Sequence, residues 1–279
     1  CILDLMFKFS VMRCINFLLI SMVCFACNTA NNTTESTNGN NMEAARVLQY
    51  EIVKIHPHDT SSYTQGLEWN DNKLIEGTGN YGKSKLHVLD SNMQSLGKTV
   101  KLSKDLFGEG TTLFKDKIYQ LTWKENKVMV YNAQTLEKIK ELYWPYEGWG
   151  LTHNDSSIIV STGGSNIYFV NPEDFTIQRT LGIYNKFGYV SDINELEWIN
   201  GKIAANIYLT NDIVFIDPIS GQIKETINFD QLLVQANVKI NPASIDPGYV
   251  LNGIAYHPIR KTIFITGKCW PIMAEISIK

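Results

Sequence analysis

Glu109 lies between Gly108 and Gly110 in the stretch Leu106-Phe107-Gly108-Glu109-Gly110-Thr111-Thr112, with Leu121-Thr122-Trp123 a short way on. A carboxylate in such a place can take a proton from one atom and hand it to another, provided that apolar surroundings lift its pKa. Flanking glycines let a ligand or another backbone come close. A Gly-Glu-Gly is equally at home in a solvated turn, so the surrounding elements must decide. The five histidines (His56, His58, His87, His153 and His257) are scattered without paired ligand spacing, and His56-Pro57-His58 stands alone in a loop, so no catalytic metal is expected. No convincing Ser-His-Asp or Cys-His set accompanies them.

The elements that would position Glu109 repeat along the chain. Five segments share one pattern: a leading polar or aromatic residue, usually Gly after it, an apolar or Thr position, then strand, turn and strand, ending in Asp or Asn. Their leading residues are Gln65, Glu109, Trp149, Asn194 and Asn252, at intervals of 44, 40, 45 and 58 residues. A period of roughly 40 to 45 residues with about four short strands is that of a propeller blade, whose sheet must pack on its neighbours around an axis. The expected fold is all-β, a five-bladed β-propeller. Turn residues mark the cuts: Asp71-Asn72-Lys73, Lys115-Asp116, Asn154-Asp155-Ser156, Asn200-Gly201 and Pro258 to Lys261. The long fourth interval comes from Phe229 to Val250, where Asp230 to Val234 reads as a helical turn and Asn241-Pro242 and Asp246-Pro247-Gly248 as loop. Val47 to Ile55, alternating in polarity, is expected to be the outer strand that closes the ring with the last unit.

In a propeller the leading residues gather near the axis at one mouth of the channel. A second matching position follows 14 residues later in four units and 16 later in the last: Gly79, Trp123, Gly163, Tyr208 and Lys268. Singly these residues have plainer roles, since Trp123, Trp149 and Tyr208 could pack between blades, Asn194 and Asn252 could cap turns, and Lys268 could pair with a surface acid. Together they put one acid, one cation, amides and large aromatics into a small space. That composition describes a pocket for a small polar ligand. With a single acid in the leading ring, a two-carboxylate glycosidase mechanism is disfavoured.

Length and composition fit one such domain. The chain has 279 residues, 44% hydrophobic, and a formal charge of -3, which offers no electrostatic case for nucleic acid. Residues 1–26 read as an upstream extension and signal peptide, with Met12-Arg13 as the basic start and Ile15 to Ala26 as the apolar run. Cys24-Phe25-Ala26-Cys27 loosely matches a bacterial lipoprotein box, so Cys27 is the expected lipidation site, with ordinary secretion as the alternative. Either way the protein is expected to be exported, touching a membrane only through that lipid. Residues 27–43, rich in Asn, Thr and Ser, read as a flexible tether, and 44–279 as the propeller. Only Cys269 falls in the folded part, so no intrachain disulfide is expected there. A closed propeller with one pocket calls for no more than a monomer.

Tyr63-Thr64-Gln65-Gly66-Leu67, Gly77-Thr78-Gly79-Asn80-Tyr81-Gly82-Lys83-Ser84, Phe107-Gly108-Glu109-Gly110 and Tyr119-Gln120-Leu121-Thr122-Trp123 occur in order. Glu147-Gly148-Trp149-Gly150-Leu151-Thr152, Asn194-Glu195-Leu196-Glu197, Leu251-Asn252-Gly253-Ile254-Ala255 and Thr266-Gly267-Lys268-Cys269-Trp270-Pro271 follow. On these motifs the sequence resembles the glutaminyl-peptide cyclotransferases of the plant and bacterial type, a family of five-bladed β-propellers. The resemblance implies conversion of N-terminal glutaminyl residues of peptides to pyroglutamyl with release of ammonia. It implies Glu109 as the proton-transfer carboxylate, Gln65, Trp123, Trp149, Asn194 and Lys268 as pocket residues, and Tyr63 and Phe107 as nearby aromatics. Tyr208 stands where the family commonly has Trp, and Thr111 where Leu is usual. The resemblance implies no cofactor for catalysis and allows a structural calcium in the channel, whose oxygen ligands the sequence does not name. The alternative is a non-catalytic propeller that binds a peptide or small ligand at the same mouth.

Overall fold

The computed structural model describes residues 43–238 and 248–279. The segments expected to be the signal peptide and the tether, apart from residue 43, lie outside the described residues, as do Cys27, Asn241-Pro242 and Asp246-Pro247.

Nearly every described element is a strand. After β1 (Arg46–Val47) and β2 (Tyr50–Pro57), the chain builds four-stranded antiparallel sheets, each running outward from an inner strand. Blade 1 is β3 (Thr64–Asn70), β4 (Lys73–Thr78), β5 (Lys85–Asp90) and β6 (Ser95–Lys101). Blade 2 is β7 (Gly108–Phe114), β8 (Lys117–Thr122), β9 (Lys127–Asn132) and β10 (Lys138–Tyr143). Blade 3 is β11 (Leu151–His153), β12 (Ile158–Ser161), β13 (Asn166–Val170) and β14 (Ile177–Gly182), followed by a small hairpin of β15 (Tyr184–Asn185) and β16 (Gly188–Tyr189). Blade 4 is β17 (Ile193–Ile199), β18 (Lys202–Ile207), β19 (Asp212–Ile216) and β20 (Ile223–Asn228), and the expected helical turn is α1 (Leu232–Gln235). Blade 5 has three late strands, β21 (Leu251–His257), β22 (Thr262–Gly267) and β23 (Ile272–Ile278), and takes its outer strand from the start of the domain. This is a five-bladed β-propeller.

The closing strand differs from the expected Val47 to Ile55. β2 begins at Tyr50, opposite Ile278, and runs to Pro57, opposite Ile272. Val47 belongs to β1, which lies parallel to β20 at the outer edge of blade 4. Between them Leu48, 7% exposed, turns into the core shared by blades 4 and 5, and its N–H donates to the Thr226 carbonyl at 2.8 Å. Burying that one leucine fixes where the chain changes sheets, so the entering segment ties two blades rather than one.

Five separate apolar clusters fill the gaps between neighbouring blades, one per gap. Middle strands are therefore buried on both faces: Ile158 and Val160 pack toward blade 2 while Ile159 packs toward blade 4. Such strands read as continuous apolar runs, and the exposed outer strands β6 and β10 do not.

Four of the five inner strands break register where their leading residue sits. The shift falls between Thr64 and Gly66, Gly108 and Thr111, Ile193 and Leu196, and Leu251 and Ile254. In blade 2, Glu109 and Gly110 together oppose the one residue Leu121. A bulge of this kind unpairs a residue and re-aims its side chain. Gly110 is required by the crowding that results: a Cβ there would lie 2.5 Å from the Leu151 nitrogen and 2.6 Å from the Trp149 oxygen of the next blade.

Candidate active site

The bulges feed a cavity of about 240 Å³ at the strand-opening end of the axis, lined by Tyr63, Gln65, Asn80, Phe107, Glu109, Trp123, Trp149, Asn194, Tyr208 and Lys268. Four leading residues and three second-position residues thus meet in one space. The remaining second positions, Gly79 and Gly163, make room for its walls. A Cβ on Gly79 would sit 2.3 Å from Phe107 Cε1, and one on Gly163 would sit 2.6 Å from the Trp149 ring.

The aromatics form two groups. Phe107 packs edge-on to Tyr63 (centroids 6.2 Å apart) and Tyr81 (5.3 Å) and lies 5.6 Å from Trp123. In the other group, Trp149 and Tyr208 meet edge to face at 5.4 Å. Tyr208 therefore supplies an aromatic wall at the position where the resemblance leads one to expect Trp. Lys268 lies over the rings of Tyr63 at 4.8 Å and Tyr208 at 5.0 Å, within cation–π range.

Glu109 is 5% exposed and Lys268 3% exposed. Burial pushes the Glu109 carboxyl well above its ordinary value; Lys268 opposes that, while Glu125 and Glu147 add to it. Burial also pulls the Lys268 ammonium down to about 8, against the attraction of Glu109. The two do not form a direct ion pair, and among the described residues no hydrogen bond occupies the Glu109 carboxylate. A buried carboxyl raised in this way can both accept and return a proton.

The amides are held from behind. Asn252, expected at the mouth, is not part of the lining; its fully buried amide donates to the Thr64 carbonyl at 2.9 Å and to Gln65 Oε1 at 3.3 Å, so it orients Gln65. The Asn194 backbone carbonyl accepts from Ser161 Oγ at 2.6 Å, and Ser161 Oγ in turn accepts the Gly150 N–H at 2.7 Å. Asn194 Oδ1 is buried without a hydrogen-bond partner among the described residues. Glu195 stands where the other four blades carry Gly. Its carboxyl spans the axis, accepting from Leu67 N–H at 3.1 Å and Ile254 N–H at 2.9 Å.

Two contributors escaped the sequence reading. Asn80, which the sequence marks only as part of the Gly77 to Ser84 motif and with no site role, lines the cavity with its backbone at a φ of 84°. Glu147, two residues before Trp149, accepts hydrogen bonds from both pocket indoles.

No histidine lines the cavity. His58 does not stand alone in its loop, however: its Nε2 and that of His87 lie 3.0 and 2.7 Å from the two oxygens of Glu76. Burial would raise the Glu76 carboxyl, but the two histidines hold it well below its ordinary value. Thr64 Oγ1 donates to the same carboxylate at 2.7 Å, so this network sits directly behind Tyr63 and Gln65. Among the described residues no three or more His, Cys, Asp or Glu side chains converge so as to hold a metal ion.

A family model described as glutamine cyclotransferase matches residues 19–278. A glutaminyl-peptide cyclotransferase of Arabidopsis thaliana is 30% identical over 264 residues, covering 94% of this chain and 81% of that protein. The crystal structure of the glutaminyl cyclase of Myxococcus xanthus superposes with a TM-score of 0.76 at 30% identity, covering 84% of this chain and 98% of that one.

Proposed function

The chain belongs to the glutamine cyclotransferase family, and on that premise we propose that it converts N-terminal glutaminyl residues of peptides to pyroglutamyl, releasing ammonia, with Glu109 carrying the proton. The α-amine nitrogen attacks the γ-amide carbonyl carbon of its own residue, forming the ring N–C bond. Glu109 takes a proton from that nitrogen and delivers it to the amide nitrogen as the old C–N bond breaks, so one carboxyl serves as base and then as acid. The nucleophile and leaving group both belong to the substrate, so the protein supplies no covalent nucleophile. What it must supply is a folded-back substrate conformation.

The observation that carries this reading is a deeply buried carboxyl, raised by its surroundings, in a small aromatic cavity that also holds a cation and three amides. A volume of about 240 Å³ suits one amino-acid side chain with its amine rather than a large ligand. Trp123, Phe107 and Tyr63 on one side and Trp149 and Tyr208 on the other would sandwich the glutaminyl chain. Asn194 Oδ1 would accept from a substrate N–H, and Lys268 and the Gln65 amide would stabilise the developing oxyanion. No cofactor is needed for any of these steps.

The test is ammonia release from a Gln-initiated dipeptide and from its Nα-acetylated analogue, each with and without EDTA. Turnover of the free-amine peptide alone, unaffected by EDTA, is expected. Equal turnover of the acetylated peptide would mean simple amide hydrolysis and would refute cyclisation.

A further inference from the structure

Glu147 lies in the segment between β10 and β11, outside the cavity lining, with its side chain 42% exposed. One of its oxygens, Oε2, accepts both pocket indoles: Trp123 Nε1 at 2.9 Å and Trp149 Nε1 at 3.2 Å. Those indoles come from neighbouring blades, Trp123 from the turn after β8 of blade 2 and Trp149 from the approach to β11 of blade 3. A single atom therefore sets their relation.

The carboxyl is itself braced. Its other oxygen, Oε1, lies 3.6 Å from Lys124 Nζ, and that ammonium sits 3.9 Å from the Trp123 ring centroid. The backbone is pinned where the wholly buried Trp144 donates its indole N–H to the Glu147 carbonyl at 3.2 Å, and where Gly148 N–H donates to the Trp123 carbonyl at 2.9 Å. Fold stability does not account for the carboxyl, because a half-exposed side chain buries little area and an exposed ion pair contributes little. An indole has one polar handle, its N–H, so holding that group fixes the ring about its side-chain torsions.

We propose that Glu147 is a positioning residue: it locks the Trp123 and Trp149 rings at the separation that receives the substrate glutaminyl chain, without touching substrate. This rests on the cyclotransferase reading above. Ring walls grip ground state and transition state alike, so loosening them raises KM and leaves kcat in place. A fold defect would instead lower the active fraction and hence kcat.

The experiment compares the whole chain with its Glu147→Ala and Glu147→Gln variants, by dipeptide kinetics and by ¹H–¹⁵N spectra of the tryptophan indoles without substrate. Glu147→Ala is expected to raise KM about tenfold with kcat within about twofold, the size of effect that follows from losing hydrogen bonds to a charged acceptor. Two indole resonances should move in that variant, and Glu147→Gln, whose amide oxygen still accepts, should recover most of both effects. The proposal is overturned by an unchanged KM, by indole resonances that stay in place, or by Glu147→Gln proving as impaired as Glu147→Ala, which would assign the role to charge. If the wild-type chain turned over no dipeptide, the cyclotransferase reading would fail, while the indole spectra would still decide whether Glu147 sets the rings.

Discussion

Glu109 and Lys268 face one cavity without touching, and each is the charge that offsets the other's burial. Their titrations bound the working pH. Glu109 must be ionised to accept the proton, and its pKa is raised, so the acid limb of kcat/KM is expected above the ordinary glutamate value of 4.5. Lys268 loses its charge above about 8, which removes oxyanion support and the attraction that favours the Glu109 carboxylate. Lys268→Met should lower kcat/KM by about a hundredfold, move the acid limb to higher pH and abolish the part of the alkaline limb due to Lys268. The substrate amine titrates identically in both comparisons, so superimposable profiles would remove Lys268 from the chemistry.

Asn252 reaches the ligand only through Gln65. Asn252→Ala should reduce kcat/KM by about tenfold, because the Gln65 amide loses the donor that holds it. It should also cost about 1 to 3 kcal/mol in urea denaturation, since the Thr64 carbonyl loses its partner as well. Unchanged kinetics beside that stability loss would make Asn252 purely structural.

The blades were legible because strands buried on both faces leave long apolar runs, and because each inner strand opens on a polar or aromatic residue, followed in four of the five blades by Gly. The bulges were not. They depend on the register between two strands, and side-chain alternation alone cannot reveal a residue skipped by its partner. For the same reason Asn252 looked like another mouth residue, whereas the structure turns its amide toward Thr64 and Gln65. Glu76 shows a second limit. Its partners His58 and His87 come from the segment after the closing strand and from the neighbouring strand of blade 1, and no local pattern joins all three. Glu147 stood in plain view beside Trp149, but its meaning lies in reaching Trp123, 24 residues away.

The acids deeper in the propeller should make stability depend on pH. Burial raises Glu68 to about 7, and burial together with Glu68 raises Glu197 well above its ordinary value. Folded-state pKa values above the unfolded ones mean that the native protein holds protons the unfolded chain releases. Their contribution is therefore full below about pH 4.5 and is lost as pH rises through about 7. Glu197→Gln keeps an acceptor for the Tyr256 N–H, bonded at 2.7 Å, while removing one charge. Urea midpoints measured between about pH 5 and 8 should fall less in this variant than in wild type, and parallel curves would show that Glu197 ionises in the native state as readily as in the unfolded chain, so that burial does not raise it.

The most direct measurement is the mass of a Gln-initiated peptide incubated with wild-type protein and with Glu109→Gln, after near-UV circular dichroism has shown both to be folded. Wild type should remove one ammonia from the peptide, and the variant should do so at least about a hundredfold more slowly, the usual share of a positioned proton carrier. Ammonia loss at the wild-type rate in Glu109→Gln would contradict the assignment of proton transfer to this carboxyl.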